Sequence, residues 1–204
     1  MNDNQFELPL FPLDLVLLPH KQIPLHIFEE RYKLMINNCM EQETEFGLVW
    51  GTDDNFRPFG CAARVVELVN RLPDDRMDIL IEGTQRFKMI ERFDLHPYIS
   101  GMVETVSDLE EAIDLDLGNR VQNLYLEALK LSIGWIQEKQ EPIELGELSY
   151  IVAASINLPH TDQQTLLENR SVNDRLKIVY NILDRALGTM REVKRRTGSN
   201  GHLA

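Results

Sequence analysis

The run EFGLVWG at residues 45–51 opens a series of five short apolar stretches rich in β-branched and aromatic residues. The other four are AARVVELV at 62–69, MDILI at 77–81, RFKMI at 86–90 and YISGMVETV at 98–106. Turn-forming residues such as Pro73 and Gly83 separate them, so each stretch is expected to form a strand. Strands spaced this regularly, without long helices between them, favour an antiparallel barrel or sandwich over a doubly wound sheet.

The second stretch departs from strict alternation of apolar and polar residues. Val65 and Val66 are adjacent, which indicates a β-bulge at that point. Between the first two strands lies the sequence GTDDNFRPFG at residues 51–60, which is expected to form a loop.

One helix is expected before the five strands. Its signal is a set of apolar residues at helical spacing, namely Phe28, Tyr32, Met35, Ile36, Cys39 and Met40. Glu29 and Glu30 fall in the first turn, where negative charge suits the helix dipole.

After about residue 107 the apolar pattern becomes helical. One stripe runs from Val121 to Trp135 and another from Leu176 to Met190, and Ser171 with Asp174 forms a weak capping box before the second. Thr161 with Gln164 gives a stronger box. The sequence therefore predicts a β subdomain at 1–108, a helical bundle at 109–191 and a flexible tail at 192–204.

Composition excludes several classes of function. The chain of 204 residues carries 21 Lys and Arg against 33 Asp and Glu, a formal net charge of -12, which argues against binding a phosphate backbone or an anionic membrane surface. The first twenty residues contain no Lys or Arg and are interrupted by prolines, so no secretion signal is expected. Two cysteines, Cys39 and Cys61, suggest reduced packing residues in a cytoplasmic protein.

The sequence also lacks the motifs of common catalytic sites. It contains no GxxxxGK[ST], GxGxxG or GxSxG motif, so nucleotide binding and a nucleophile elbow have no support. Its five histidines form no HxxxH pair and its cysteines no CxxC pair, so no metal site is expected. We expect a protein without catalytic residues, metal or cofactor.

The order of the motifs resembles a known family. Residues 8–19 read LPLFPLDLVLLP, residues 23–32 IPLHIFEERY and residues 78–87 DILIEGTQRF, and LP, LLE and DRL follow at 158–159, 166–168 and 174–176. This combination resembles the N-terminal, substrate-binding domain of Lon proteases, a domain also related to one in cereblon. The resemblance covers about residues 8–190.

The resemblance implies an α+β fold, a PUA-like antiparallel β pseudo-barrel with one inserted helix, followed by a C-terminal helical bundle. Its motif residues are expected to specify the fold: Phe11, Pro12, Pro24, Phe28, Tyr32, Gly60, Glu82, Gly83 and Phe87. Phe11 and Phe28 are then core residues, the prolines follow a barrel edge, and Gly83 supplies a tight turn or a positive φ. Glu82 has Arg86 as a possible local ion-pair partner.

In full-length Lon proteases this domain precedes an ATPase and a Ser–Lys peptidase, and neither set of motifs occurs here. The resemblance therefore implies a non-catalytic module that binds polypeptide substrates or partner proteins. The candidate contact residues are Phe56, Arg57 and Phe59, because aromatic residues and arginine are enriched at interfaces. The alternative is that Phe56 covers the core and Phe59 closes the barrel end.

Three other functions stay open. PUA-like folds include RNA-binding proteins, although residues 1–108 hold 10 basic against 19 acidic side chains. An adaptor for a separate protease and a hydrolase with a site assembled from distant residues are the others. A monomer is the default expectation.

Overall fold

The computed structural model describes residues 4–133 and 143–199. The elements in these ranges are β1 (Gln5–Leu13), β2 (Gln22–Ile27), α1 (Glu30–Gln42), β3 (Phe46–Thr52), β4 (Asn55–Arg71), β5 (Met77–Phe93), β6 (Ser100–Thr105), α2 (Leu115–Ile133), α3 (Leu145–Ser155), α4 (His160–Glu168) and α5 (Val172–Ser199). They form two compact units. The first comprises Met1–Asp108 with Ala153–Arg170, and the second Leu109–Val152 with Ser171–Ala204.

The strands of the first unit form a closed sheet. Their order is β2-β5-β4-β3-β1-β6, and β6 also pairs with the C-terminal half of β5, which closes the barrel. The expected α+β fold is confirmed. Antiparallel pairs predominate in the described sheet, which is mixed because β1 and β3 pair in parallel from Leu10↔Gly47 to Leu13↔Trp50. The chain between them holds β2 and α1, a connection long enough for a parallel return.

The barrel interior is a cluster of buried apolar side chains: Leu8, Leu10, Val49, Ala62, Phe87, Ile99 and Val103. Phe87 is fully buried, and burial of such a ring contributes on the order of 2 kcal/mol. Gly60 leaves room for this ring, since a Cβ there would lie 2.5 Å from its Cζ atom. Phe87 and Gly60 therefore have a packing reason for their places in the motif.

Pro9 and Pro12 lie on β1, which is not an edge strand, contrary to the expectation that the prolines follow a barrel edge. Residues 5–9 pair with β6 and residues 10–13 with β3, so among the described strands each stretch is paired on one side. On the other side the missing N–H of Pro9 or Pro12 breaks no ladder bond. Pro24 does lie on an edge strand, since β2 pairs with β5 alone in the described sheet.

α1 begins two residues later than Phe28. Glu29 is its N-cap, with extended backbone angles (φ -75°, ψ 134°), so Phe28 precedes the helix. The ring of Phe28 is 58% exposed and stacks on His26, and the expectation that it belongs to the core is wrong. The face of α1 that is buried carries Tyr32 and Met35 as expected.

β5 is one strand where the sequence predicts two. Gly83 lies inside it, without positive φ, and it allows the close approach of another backbone segment. The Gly83 N–H donates to the Lys21 carbonyl (3.0 Å), and the His20 N–H donates to the Gly83 carbonyl (2.9 Å). A Cβ at residue 83 would lie 2.2 Å from the Leu18 carbonyl oxygen. The expected turn at Gly83 is wrong, and close packing explains the glycine.

The expected ion pair between Glu82 and Arg86 does not form. Arg64 lies directly opposite Glu82 in the sheet register, and its Nη2 donates to Glu82 Oε2 at 2.6 Å. Arg86 is 5% exposed. Its guanidinium donates to the carbonyls of Leu167 (3.1 Å) and Asn169 (2.8 Å) and to the Asp108 carboxylate. Arg86 thus fixes the C-terminal end of α4 to the barrel.

The two capping boxes have opposite outcomes. The capping box predicted at Thr161 and Gln164 is wrong, because the N-cap of α4 is Pro159 and no side chain caps the helix. Gln164 instead donates to the Phe59 carbonyl at 3.2 Å. Of the weaker box, at Ser171 and Asp174, the N-cap half is confirmed, because Ser171 Oγ accepts from the Asp174 N–H at 3.1 Å at the start of α5.

In the second unit, α2, α3 and α5 bury apolar faces, including Val121, Leu148 and Leu183. A fully buried arginine, Arg175, donates to Ser149 Oγ (3.1 Å) and to the Gly146 carbonyl (3.0 Å). Trp135, the expected end of the α2 stripe, lies outside the described residues.

The observed units place α4 differently from the sequence-based division. Residues 153–170 belong to the sheet unit, whereas the sequence groups them with the bundle at 109–191. α5 continues to Ser199 through most of the expected tail at 192–204, and residues 200–204 lie outside the described residues.

Candidate functional site

A groove lies between the C-terminal end of α1 and β4, and we call it the α1–β4 groove. Cys39, Met40 and residues 43–45 form one wall, and residues 64–68 form the other. Its volume is about 500 Å³, within the range of ligand sites in proteins.

The β4 wall of this groove is a free edge of the sheet. β3 pairs with β4 up to Phe46↔Ala63, where β3 begins, but β4 continues to Arg71. Over residues 64–71, β5 is the partner strand of β4 in the described part of the chain. The opposite edge of these residues therefore presents backbone N–H and C=O groups outside the ladder.

The turn at the end of α1 explains why β3 does not begin before Phe46. Glu43 is the C-cap in the left-handed region (φ 53°, ψ 38°), and the Thr44 N–H donates to the Cys39 carbonyl at 2.9 Å. This turn holds residues 43–45 beside the edge of β4 and out of the sheet.

Apolar side chains are exposed along the same part of β4. Val66, Leu68 and Val69 are 40%, 41% and 58% exposed. The β4–β5 register shifts between Val65 and Glu67, which confirms the bulge expected from the adjacent valines, and it shifts again between Leu68 and Asn70. The groove therefore combines apolar surface with an irregular strand edge.

The charges around the groove are predominantly negative. Glu43, Glu45 and Glu67 line it, while Arg64, its basic residue, is ion-paired with Glu82. A second cavity of about 420 Å³ shares Thr44 and Glu45 with the groove and extends along β1 residues 6–9. Both cavities thus adjoin the same acidic loop at residues 43–45.

The three candidate contact residues from the sequence do not form one exposed cluster. They lie on β4, after the tight turn that joins it to β3. Phe56 packs against the barrel core. Phe59 is half-buried, and Lys88 Nζ lies 5.6 Å from the centre of its ring. Arg57 is exposed, and its guanidinium carbon lies 5.9 Å from the ring centre of Trp50. Their role as a partner-binding site stays a prediction.

Tyr32 connects α1 to the β3–β4 turn. Its hydroxyl donates to Asp53 Oδ1 at 3.1 Å, and Arg31 forms an ion pair with the same carboxylate. Burial and the negative charge of Asp53 raise the pKa of Tyr32, so it stays a neutral donor. This contact supports a structural role for Tyr32.

The family model of the substrate-binding domain of ATP-dependent protease La, or Lon, matches residues 7–185. The chain belongs to this Lon substrate-binding domain family. The match covers both halves of the chain, and it confirms the resemblance seen in the motifs.

Curated relatives of this Lon domain are similar over nearly its whole length. The Lon protease of Anaeromyxobacter dehalogenans is 26% identical over 195 residues, 87% of this chain and 23% of that protein. The Lon protease of Azospirillum brasilense is 26% identical over 216 residues, 94% of this chain and 26% of that protein. The chain thus spans about a quarter of the length of these relatives.

Solved structures share the fold. The Lon N-terminal domain protein from Xanthomonas campestris has a TM-score of 0.66 at 23% identity, covering 84% of this chain and 95% of that one. The N-terminal domain of the Mycobacterium avium complex Lon protease has a TM-score of 0.68 at 14% identity, covering 88% and 98%.

Within residues 4–133 and 143–199 of this Lon domain, no helix has the length and hydrophobicity needed to cross a membrane. Within the same ranges, His, Cys, Asp and Glu side chains form no group of three that would hold a metal ion.

The two cysteines of this Lon domain should resist labelling in the folded protein. Cys39 and Cys61 are free and buried, and burial raises the pKa of both thiols. A higher pKa leaves less of the reactive thiolate at any given pH. A chromogenic thiol reagent at neutral pH should therefore modify neither cysteine quickly, and both after unfolding in urea. Rapid modification of Cys61 in the native protein would contradict its burial.

Proposed function

We propose that this Lon substrate-binding domain binds segments of other polypeptides and does not transform them. The observation that carries the proposal is the α1–β4 groove, an open, partly apolar channel beside a strand edge. Family membership supports recognition as its role. The absence of nucleotide-binding and nucleophile-elbow motifs from the sequence supports the non-catalytic part of the proposal.

The groove has the properties expected of a polypeptide site rather than of a nucleic-acid site. It offers exposed Val66 and Leu68 for apolar contact, and its three glutamates would repel a phosphate backbone. Cooperation with a separate protease as an adaptor is compatible with this function, and the cytoplasm is the proposed location.

A library of immobilised short peptides tests the proposal. We expect retention of peptides that carry apolar residues, and we expect Val66→Ser/Leu68→Ser to weaken it by about tenfold, since two apolar contacts of roughly 0.7 kcal/mol each would be lost. Both side chains are partly exposed, so the variant should fold.

Ile90→Ser/Leu95→Ser is the matched control. These side chains are 48% and 80% exposed and do not line the groove, so retention should be unchanged. Equal loss in both variants would contradict the assignment to the groove. Retention of RNA that depends on salt, without any retention of peptides, would overturn the proposed function.

The same assay tests the site expected from the sequence. If the β3–β4 hairpin contacts partners, Arg57→Ala will weaken retention while Val66→Ser/Leu68→Ser leaves it intact. Arg57 is the suitable residue because it is exposed, whereas truncation of Phe56 would also disturb the core.

A further inference from the structure

We propose that the α1–β4 groove takes an extended polypeptide segment with apolar and basic side chains, which adds a strand to the free edge of β4 at residues 64–71. This inference rests on the proposed function and specifies the mode of binding and the chemistry of the bound segment.

The sheet register leaves one edge of β4 open to a further strand. Phe46↔Ala63 is the last pair of β3 and β4, and from Arg64 onward the β4 edge has no partner among the described strands. The edge of residues 64–71 is about 26 Å long at roughly 3.3 Å per residue. An extended segment there would continue the line of β3 and would satisfy backbone groups in the way that strand addition does elsewhere.

The side chains that line the groove restrict which segment fits. Successive residues of a strand point to opposite faces, so a bound strand can meet apolar surface on one face and charge on the other. Val66 and Leu68 offer the apolar surface. Glu45 and Glu67 offer carboxylates that favour lysine or arginine in the ligand.

The irregular edge favours a flexible segment over a second copy of the chain. The two register shifts of β4 that fall between Val65 and Asn70 would have to be matched by a rigid partner strand, whereas a flexible peptide can adapt to them. Residues 43–45 also form the wall of the groove that faces this edge, so a bound strand would lie between that wall and β4.

Backbone pairing is tested with a peptide of alternating valine and lysine, long enough to pair with residues 64–71. Fluorescence anisotropy of the labelled peptide with the whole chain measures its Kd. N-methylation of the amides on one edge of the peptide removes its hydrogen-bond donors and keeps its side chains. We expect this change to weaken binding by at least about tenfold, corresponding to the loss of two or more hydrogen bonds.

Charge recognition is tested with Glu45→Lys/Glu67→Lys. This variant should bind the valine–lysine peptide about tenfold more weakly and should gain affinity for the matched valine–glutamate peptide. Asp54→Lys/Glu91→Lys makes the same change in net charge outside the groove, so both affinities should stay within about twofold of the original protein.

The outcomes separate this inference from the proposed function. If the N-methylated peptide binds as well as its parent, strand addition is overturned while polypeptide binding stands. A concentration-dependent dimer in sedimentation equilibrium, lost in Glu45→Lys/Glu67→Lys and accompanied by no peptide binding, would assign the edge to a second copy. If no peptide is retained in the library either, both proposals fail.

Discussion

Replacing Arg86 with methionine should lower the free energy of unfolding by about 3 kcal/mol. Methionine keeps a long apolar side chain but removes the guanidinium that donates to the Leu167 and Asn169 carbonyls and to Asp108. Because Arg86 is buried, the acceptors it leaves are poorly placed to bind water instead. Denaturant unfolding followed by circular dichroism measures the change.

Arg64→Met provides the matched control. Arg64 also lies in the sheet and forms an ion pair, with Glu82, but its side chain is 61% exposed. An exposed pair contributes roughly 0–1 kcal/mol, so the control should be close to the original protein in stability. Hydrogen exchange adds a local test, since α4 should exchange faster in Arg86→Met alone. Equal stability of the two variants would mean that Arg86 does not hold α4 to the barrel.

The role of Arg86 shows where sequence reasoning stops. A glutamate four residues away suggests a local ion pair, but the actual partners of Arg86 are 22 to 83 residues distant in sequence. Such contacts depend on where α4 folds back onto the barrel, and no local pattern records that position. The same contacts explain why α4 belongs to the first unit although its sequence reads like the later helices.

Strand prediction succeeded where local chemistry decides the structure. β3 and β6 lie within a residue or two of the predicted stretches, because β-branched and aromatic residues between turn residues favour strands. It is wrong at Gly83, where the sequence predicts a turn and the structure has a continuous strand. A glycine needed for close approach and a glycine needed for a turn look the same in one sequence.

The sequence predicts only part of the candidate site, the α1–β4 groove. The adjacent valines at 65 and 66 predict the bulge in β4. Leu68 and Val69 are also adjacent, so β4 carries apolar residues on both of its faces. A strand of this kind has apolar surface to bury on each face. This pattern is the signal in the sequence that indicates a binding segment here. The free edge itself depends on β3 beginning at Phe46, and the turn after α1 sets that point.

Gly83→Ala should destabilise the protein by about 3 kcal/mol. The new Cβ would lie 2.2 Å from the Leu18 carbonyl oxygen, and the contacted atom belongs to the backbone, which cannot rotate away as a side-chain end can. Relief would require separating β5 from residues 18–21 and would strain the hydrogen bonds that His20 and Lys21 share with Gly83. Denaturant unfolding measures the loss.

Gly188→Ala is the matched control, and its expected effect has the opposite sign. Residue 188 lies inside α5 with nothing within 4 Å of the added methyl group, so alanine should stabilise the protein by about 0.5–1 kcal/mol. Both substitutions restrict the unfolded chain in the same way, which by itself favours the folded state. A difference in sign between the two changes in stability can therefore be attributed to the contact that the new Cβ makes at residue 83 in the folded protein. If Gly83→Ala were neutral or stabilising, residues 18–21 would not be held against β5, and the packing reason given for this motif glycine would be wrong.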